Sequence, residues 1–258
     1  FSDVTAIARE INDRLSDRQQ ALETIAKEIT PTIFSNATAL QALLEQRPIL
    51  QILFNGGVFI TGTNGTAIAD VPLSAGRVGT NYIDRESVSI PLKEGKTRIG
   101  RPAMGKKLGA PIFSIVTPIL DSSGQVLGAM VATVNLGEPG KPGRYLLVAR
   151  QYNLIVTSSD KSRIMQQGPA PGLNALHDRY MQGFDGFGVT DNSGGRQELS
   201  AAKAIPVADW FVVATLPANE AFAPIDAMLR RILVSAIVLT MLAGALTWWL
   251  MSRLLHRQ

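Results

Sequence analysis

A cluster of basic side chains between residues 93 and 107 holds the most informative polar chemistry of the sequence. Its basic members are Lys93, Lys96, Arg98, Arg101, Lys106 and Lys107, and its single acid is Glu94. A guanidinium holds a carboxylate or a phosphate through two parallel hydrogen bonds, so arginines in such a cluster predict an anion site. The alternative is a solvated loop whose lysines point into water, and the pattern favours that alternative for the lysines.

Arg101 is the member of the cluster that we expect to point inward, because it stands between Gly100 and Pro102 at the end of an apolar strand. A replacement of Arg101 by alanine is then expected to weaken binding or signalling without unfolding the domain. The ligand-binding candidates are, in order, Arg101, Arg85, Tyr82 and Arg98.

The sequence offers no set of residues that could catalyse a reaction. His177 and His256 are its only histidines, and it has no cysteine. Metal-ligand spacing, a nucleophile elbow and a phosphate-binding loop are all absent from it. We therefore predict that these residues are not an enzyme and need no cofactor, which leaves an envelope hydrolase as the weakest of the functional alternatives.

The positive charge of the chain is concentrated at one end. Residues 230–258 contain four arginines and no acid, so 21 of the 25 basic residues remain for positions 1–229, against 21 acidic ones. The larger part of the chain is therefore neutral, and a nucleic-acid partner, which requires a basic surface, is not expected.

A hydrophobic segment at residues 232–251 predicts one transmembrane helix. Its twenty residues carry no charge, and Trp248 and Trp249 lie together near its C-terminal end. At about 1.5 Å per residue, such a helix spans roughly 30 Å, which is the hydrocarbon thickness of a bilayer. Two arginines flank the segment on each side, so the positive-inside rule does not orient it.

The first 30 residues have a heptad pattern that predicts a long amphipathic helix ending before Pro31. The seam of this pattern, which is interrupted only by one arginine, consists of Val4, Ala8, Ile11, Leu15, Arg18, Leu22, Ile25 and Ile29. It could pair with its copy in a dimer, or it could lie along its own domain as a spine. The pattern leaves both interpretations open.

The chain between these two helices shows the same strand pattern twice. Residues 58–70 form strand-like runs around Asn64-Gly65, and residues 112–136 form two longer apolar runs. After a Gly- and Pro-rich linker at 137–143, residues 144–217 repeat a hairpin, a helical insert and further strands, with a turn at 191–195. This order predicts an α+β fold, with two antiparallel-sheet modules packed on the long N-terminal helix.

Several of these stretches resemble a known family. NYIDR at 81–85, LKEG at 92–95 and IGRP at 99–102 resemble the pocket-side segment of the membrane-distal module in double Cache sensor domains of bacterial receptors. Residues 111–121 and 124–128 resemble the central strands of that module. Together with the entry helix and the exit helix into a membrane span, the resemblance extends over most of the chain.

The resemblance implies a periplasmic domain of two PAS-like (Cache) modules that binds a small molecule in the distal module and signals across the inner membrane. The basic cluster at 93–107 predicts that this molecule is an anion. Residues 1–229 are then periplasmic and the C-terminus is cytoplasmic, with a second span expected upstream and a homodimer as the expected assembly. The segments implied are 1–35 (N-terminal spine or stalk helix), 36–140 (membrane-distal module), 141–218 (membrane-proximal module), 219–231 (exit helix), 232–251 (transmembrane helix) and 252–258 (start of a juxtamembrane helix).

The output and the ligand are less closely specified. The IGRP segment at 99–102 most resembles the sensor domains of diguanylate cyclases and cyclic-di-GMP phosphodiesterases. The alternatives are the sensor domain of a histidine kinase or of a chemoreceptor, and a membrane-tethered binding domain without a signalling output. Amino-acid-binding Cache domains carry an arginine followed closely by a Trp-Tyr pair. Here Arg85 is followed by Glu86, Ser87 and Val88, which argues against an ordinary amino acid as the ligand.

Overall fold

The computed structural model describes residues 2–136, 145–191 and 195–255. The predicted linker at 137–143 and the middle of the predicted turn at 191–195 lie outside the described residues, as do the last three residues of the predicted juxtamembrane segment. Two units are described separately. The larger contains residues 1–190 and 200–215, and the smaller contains residues 191–199 and 216–258.

A 26-residue helix, α1, opens the larger unit and is followed by three short helices. The helices are α1 (Ser2–Lys27), α2 (Pro31–Phe34), α3 (Ala37–Glu45) and α4 (Pro48–Leu53). Thr30 and Asn36 accept hydrogen bonds from backbone N–H groups of the first turns of α2 and α3, which explains where these helices begin. The sequence interpretation did not place α2 to α4.

The first sheet is antiparallel along its main path and has the strand order β2-β1-β6-β5-β3, with β4 also paired to β5. Its strands are β1 (Val58–Gly62), β2 (Ala67–Val71), β3 (Arg98–Ile99), β4 (Ala103–Met104), β5 (Pro111–Leu120) and β6 (Val126–Asn135). Helix α5 (Glu86–Glu94) lies between β2 and β3 in the chain and ends at Gly95, whose positive φ suits a glycine.

The second sheet has the strand order β8-β7-β11-β10-β9. Its strands are β7 (Tyr145–Ala149), β8 (Leu154–Ser158), β9 (Gly186–Asp191), β10 (Gln197–Ile205) and β11 (Trp210–Pro217). Helix α6 (Ala175–Met181) is inserted between β8 and β9. The predicted α+β fold with two antiparallel-sheet modules is confirmed.

The seam of α1 is buried in its own domain. Val4, Ala8, Leu15, Leu22 and Ile25 belong to one hydrophobic core together with residues of both sheets. This burial decides between the two interpretations of the heptad pattern in favour of a spine, because the seam already has its partner. Phe113 of β5 and Trp210 of β11 meet edge to face in the same core, with ring centroids 5.1 Å apart.

The smaller unit contains one long helix, α7 (Ala218–Leu255), which follows β11 directly in the chain. Within it, Met228–Leu246 is long and apolar enough to cross a membrane, with a mean hydropathy of 1.8 and none of its residues buried. This candidate span overlaps the predicted one at 232–251 and begins four residues earlier.

Candidate ligand-binding site

The two faces of the first sheet have different roles. Because side chains alternate along a strand, Val58 and Ile60 of β1 enter the main core while Phe59 between them points to the other face. Phe59 lies opposite Val131 of β6 in the register of these strands, and both belong to a smaller cluster that also contains Val88 of α5. This second face, away from the main core, forms the floor of a pocket.

The pocket lies between this floor and the chain segment that leads from β3 through β4 to β5, and it encloses about 520 Å³ of empty space including its mouth. Phe59, Val131 and Ile112 supply apolar lining. Five cationic side chains and no carboxylate are among the described residues that line it, the cations being Arg77, Arg85, Arg101, Lys106 and Lys107.

Tyr82 is held against the pocket by the hairpin turn that joins β1 and β2. Its backbone N–H donates to the Gly65 carbonyl at 2.8 Å, and the Asn81 side-chain amide donates to the Asn64 carbonyl at 2.9 Å. Its ring stacks at a tilt on Phe59, with centroids 4.6 Å apart. The Asn64-Gly65 turn, recognised in the sequence as a hairpin signal, therefore also positions a wall of the pocket.

Lys106 and Arg85 fasten the β4 segment across the pocket. The Lys106 ammonium donates to the Asn81 carbonyl at 2.8 Å and to Asp84 Oδ1 at 2.6 Å, and it lies over the Tyr82 ring. Arg85 Nη2 donates to the Met104 carbonyl at 3.2 Å. Hydrogen bonding to Lys106 lowers the pKa of the Asp84 carboxyl, which therefore stays charged at neutral pH.

Arg101 lines the pocket, but its side chain is exposed, so the expectation that it points inward is wrong. Its guanidinium carbon also lies 5.7 Å from the ring centroid of Tyr152, which belongs to the turn between β7 and β8 in the second sheet. Arg101 thus touches both the pocket and the second module.

Arg98, the fourth predicted site residue, lies elsewhere. It is half exposed on the edge strand β3 and pairs with Glu94 at 3.5 Å. The structure therefore brings Tyr82, Arg85 and Arg101 together around the pocket and leaves Arg98 apart from them.

Arg77 and Asp70 are the site residues that the sequence interpretation missed. Arg77 is only 2% exposed and its Nε lies 3.0 Å from Asp70 Oδ1, while its backbone N–H donates to Asp70 Oδ2 at 2.9 Å. Burial raises the pKa of the Asp70 carboxyl and lowers the pKa of the Arg77 guanidinium, and each charge partly offsets the effect of burial on the other.

Arg77 packs so closely against Gly57 that a larger residue at position 57 would not fit. Gly57 has φ +81°, and a Cβ there would lie 2.3 Å from Arg77 Nη2 and 2.5 Å from the Val71 carbonyl oxygen. The guanidinium also lies over the Phe59 ring, 5.2 Å from its centroid. The only sequence signal for this arrangement is an acid and an arginine on either side of a Pro- and Gly-containing turn, which is too common to identify a site.

His177 in the second module has a structural environment. Its Nε2 lies 2.9 Å from Asn153 Oδ1, and because the Asn153 amide nitrogen donates to the Pro169 carbonyl, the ring nitrogen is the donor of this pair. Burial lowers the pKa of the His177 imidazole, which favours its neutral form. In the described ranges, no three His, Cys, Asp or Glu side chains are grouped as metal ligands.

The comparison with known families agrees with this architecture. The family model described as Cache domain, of the double-Cache type, matches residues 2–225. The chain belongs to the Cache domain family. This match confirms the double Cache domain recognised in the sequence. As a Cache sensor domain, the chain is a ligand-binding, non-catalytic and extracellular module. No curated protein matches the chain.

Solved structures of chemoreceptor ligand-binding domains share the fold. The domain of the Pseudomonas aeruginosa PAO1 amino acid chemoreceptor PctB in complex with L-Arg is 20% identical, has a TM-score of 0.66 and aligns over 87% of this chain and 89% of its own. That of Pseudomonas fluorescens CtaA with L-alanine is 20% identical at a TM-score of 0.65, over 86% and 96%. That of Pseudomonas aeruginosa PctC with GABA is 18% identical at 0.62, over 83% and 95%. At these identities the likeness shows the fold alone.

Proposed function

We propose that this Cache domain is the periplasmic sensor of a transmembrane receptor of the inner membrane and binds a small anionic molecule in the pocket of its first module. The pocket lined by five cationic side chains supports this most directly, because the two carboxylates that pair with them, Asp70 and Asp84, leave a surplus of three positive charges. Tyr82, Arg85 and Arg101 are the proposed contacts.

The signal would pass from the second module into α7, which follows β11 without a break in the chain. With the predicted span at 232–251 in the bilayer, which the candidate span Met228–Leu246 overlaps, residues 1–229 lie in the periplasm and the C-terminus in the cytoplasm. A homodimer with a second span upstream of Phe1 completes the proposed receptor.

Cyclic-di-GMP turnover is the output that the IGRP motif at 99–102 supports. A chemoreceptor output is the second candidate, because the similar domains of PctB, CtaA and PctC all belong to chemoreceptors. In cells carrying the whole receptor, the ligand is expected to change the cyclic-di-GMP level. A changed swimming bias at a constant cyclic-di-GMP level would favour the chemoreceptor instead.

Calorimetric titration of the detergent-solubilised chain with short carboxylates tests the site. We expect saturable binding, and weaker binding by Arg101→Ala with an unchanged melting temperature. The matched control is Arg98→Ala, which removes an arginine of the same basic cluster that lies apart from the pocket. If Arg98→Ala weakened binding as much as Arg101→Ala, the proposed placement of the ligand would be wrong.

A further inference from the structure

Arg77 has hydrogen-bond donors that nothing in the described structure uses. A guanidinium carries five N–H donors. Although Arg77 is 2% exposed, its Nη1 and Nη2 have no hydrogen-bond partner among the described residues, while its Nε faces Asp70 Oδ1 at 3.0 Å. An unsatisfied buried donor is destabilising, and more so when it belongs to a charged group. A buried arginine with unused donors that lines a pocket therefore indicates an acceptor that enters that pocket.

The position of Arg77 is fixed before any ligand arrives. The Asp70 carboxylate holds it from behind, the Phe59 ring covers one side, and Gly57 lies against Nη2. A donor that is already ordered loses little conformational entropy when a ligand binds, which strengthens the interaction.

The charge pattern restricts the class of ligand. The pocket lining in the described part of the chain contains no carboxylate, and Asp70 behind it is occupied by Arg77. The ammonium group of an amino acid would therefore meet four further cations, Arg85, Arg101, Lys106 and Lys107, without an acid to pair with. Like charges at this range disfavour binding.

We propose that Arg77 is the anion-binding anchor of the pocket and that the ligand is a small carboxylate without an ammonium group. This rests on the proposed function and deepens it. The carboxylate accepts two hydrogen bonds from the Arg77 guanidinium, and its short carbon chain lies on Phe59 and Val131. Tyr82, whose buried hydroxyl near Thr80 makes no hydrogen bond of acceptable geometry, offers a further donor.

Four probes of nearly equal size test the class of ligand: propionate, propionamide, L-alanine and lactate. Titrated into the full chain in detergent, propionate and lactate are expected to bind at least about tenfold more tightly than propionamide and L-alanine, since a hydrogen bond to a charged group contributes about 1.5–3 kcal/mol. If L-alanine bound more tightly than propionate, the inference would fail while the pocket would remain a sensor site. If none of the four bound, both proposals would be overturned.

Two variants test the anchor itself. Arg77→Lys keeps the charge but not the fork of parallel donors, and we expect about tenfold to a hundredfold weaker propionate binding. Should that variant fail to fold, Asp70→Asn combined with Arg77→Met removes both charges together and is expected to abolish propionate binding in a folded protein. Wild-type affinity for propionate in either folded variant would overturn the role of Arg77. Arg98→Lys is the control and should bind propionate as the wild type does.

Discussion

The ion pair of Asp70 and Arg77 predicts a large and strongly non-additive effect on stability. Both side chains are almost completely buried, at 0% and 3% exposure, with Nε and Oδ1 3.0 Å apart. With an effective dielectric constant of about 20, two unit charges at this distance attract each other by roughly 5 kcal/mol. Desolvation of each ion opposes that gain by several kcal/mol, so the pair as a whole contributes little net stability.

Removing only one partner leaves the other charge buried without compensation. We therefore expect Asp70→Asn and Arg77→Met each to lower the free energy of unfolding by about 3–5 kcal/mol. The double variant removes both charges and should cost clearly less than the sum of the two. The expected coupling free energy is at least about 2 kcal/mol, within the range seen for contacting residues.

Urea unfolding of the full chain in detergent measures these values. Replacing Trp248 and Trp249 by phenylalanine leaves Trp210 as the only tryptophan, and its contact with Phe113 makes its fluorescence sensitive to the core. Single variants that each cost less than about 1 kcal/mol, or costs that add without coupling, would refute the account of a buried, mutually dependent pair.

Three further changes test other parts of the structure. Leu22→Ala, in the fully buried seam of α1, is expected to cost about 2–5 kcal/mol in urea unfolding, against under about 0.5 kcal/mol for the exposed Gln20→Ala. Gly57→Ala should weaken propionate binding in calorimetry because its Cβ would meet Arg77, whereas Gly76→Ala has a positive φ but open space and should bind normally. Burial lowers the pKa of His177 in the folded protein, so the unfolded chain binds a proton at this residue more readily once the pH falls below about 6.5. The melting temperature is therefore expected to fall as the pH is lowered through that range. The variant His177→Gln should show a weaker dependence of the melting temperature on pH. Equal binding by both glycine variants, or an equally steep pH profile in His177→Gln, would contradict these explanations.

The fold could be predicted from the sequence because its signals are periodic. Alternation along β1 puts Phe59 on one face and its neighbours on the other, and the heptad seam of α1 marks the face that is buried. The seam could not reveal its own partner, because a helix paired with its copy and a helix on its own sheets need the same stripe of apolar side chains. Burial of Leu22 among residues of both sheets decided that question.

The site was predictable only where its residues come from one stretch of chain. Arg85 and Arg101 belong to the family-like segments, whereas Arg77 becomes a pocket residue through its tertiary contact with Asp70. Arg98 shows the opposite limit. It lies in the same basic cluster, but its strand is two residues long at the edge of the sheet, so its charge meets Glu94 instead of the pocket.

The contact of Arg101 with Tyr152 sets a limit on how much signal one residue can carry between the modules. An exposed cation–π contact contributes about 0.5–1 kcal/mol, which corresponds to a change of about twofold to fivefold in an equilibrium. Tyr152→Leu is therefore expected to change propionate affinity by no more than about fivefold in calorimetry. A larger change would show that the Tyr152 ring contributes more than its contact with Arg101.

Moving a receptor almost completely between two states requires about 5.5 kcal/mol of differential binding. The remainder must come from contacts that the ligand rearranges together, and the bonds of Lys106 and Arg85 that fasten the β4 segment are the ones that line the same pocket.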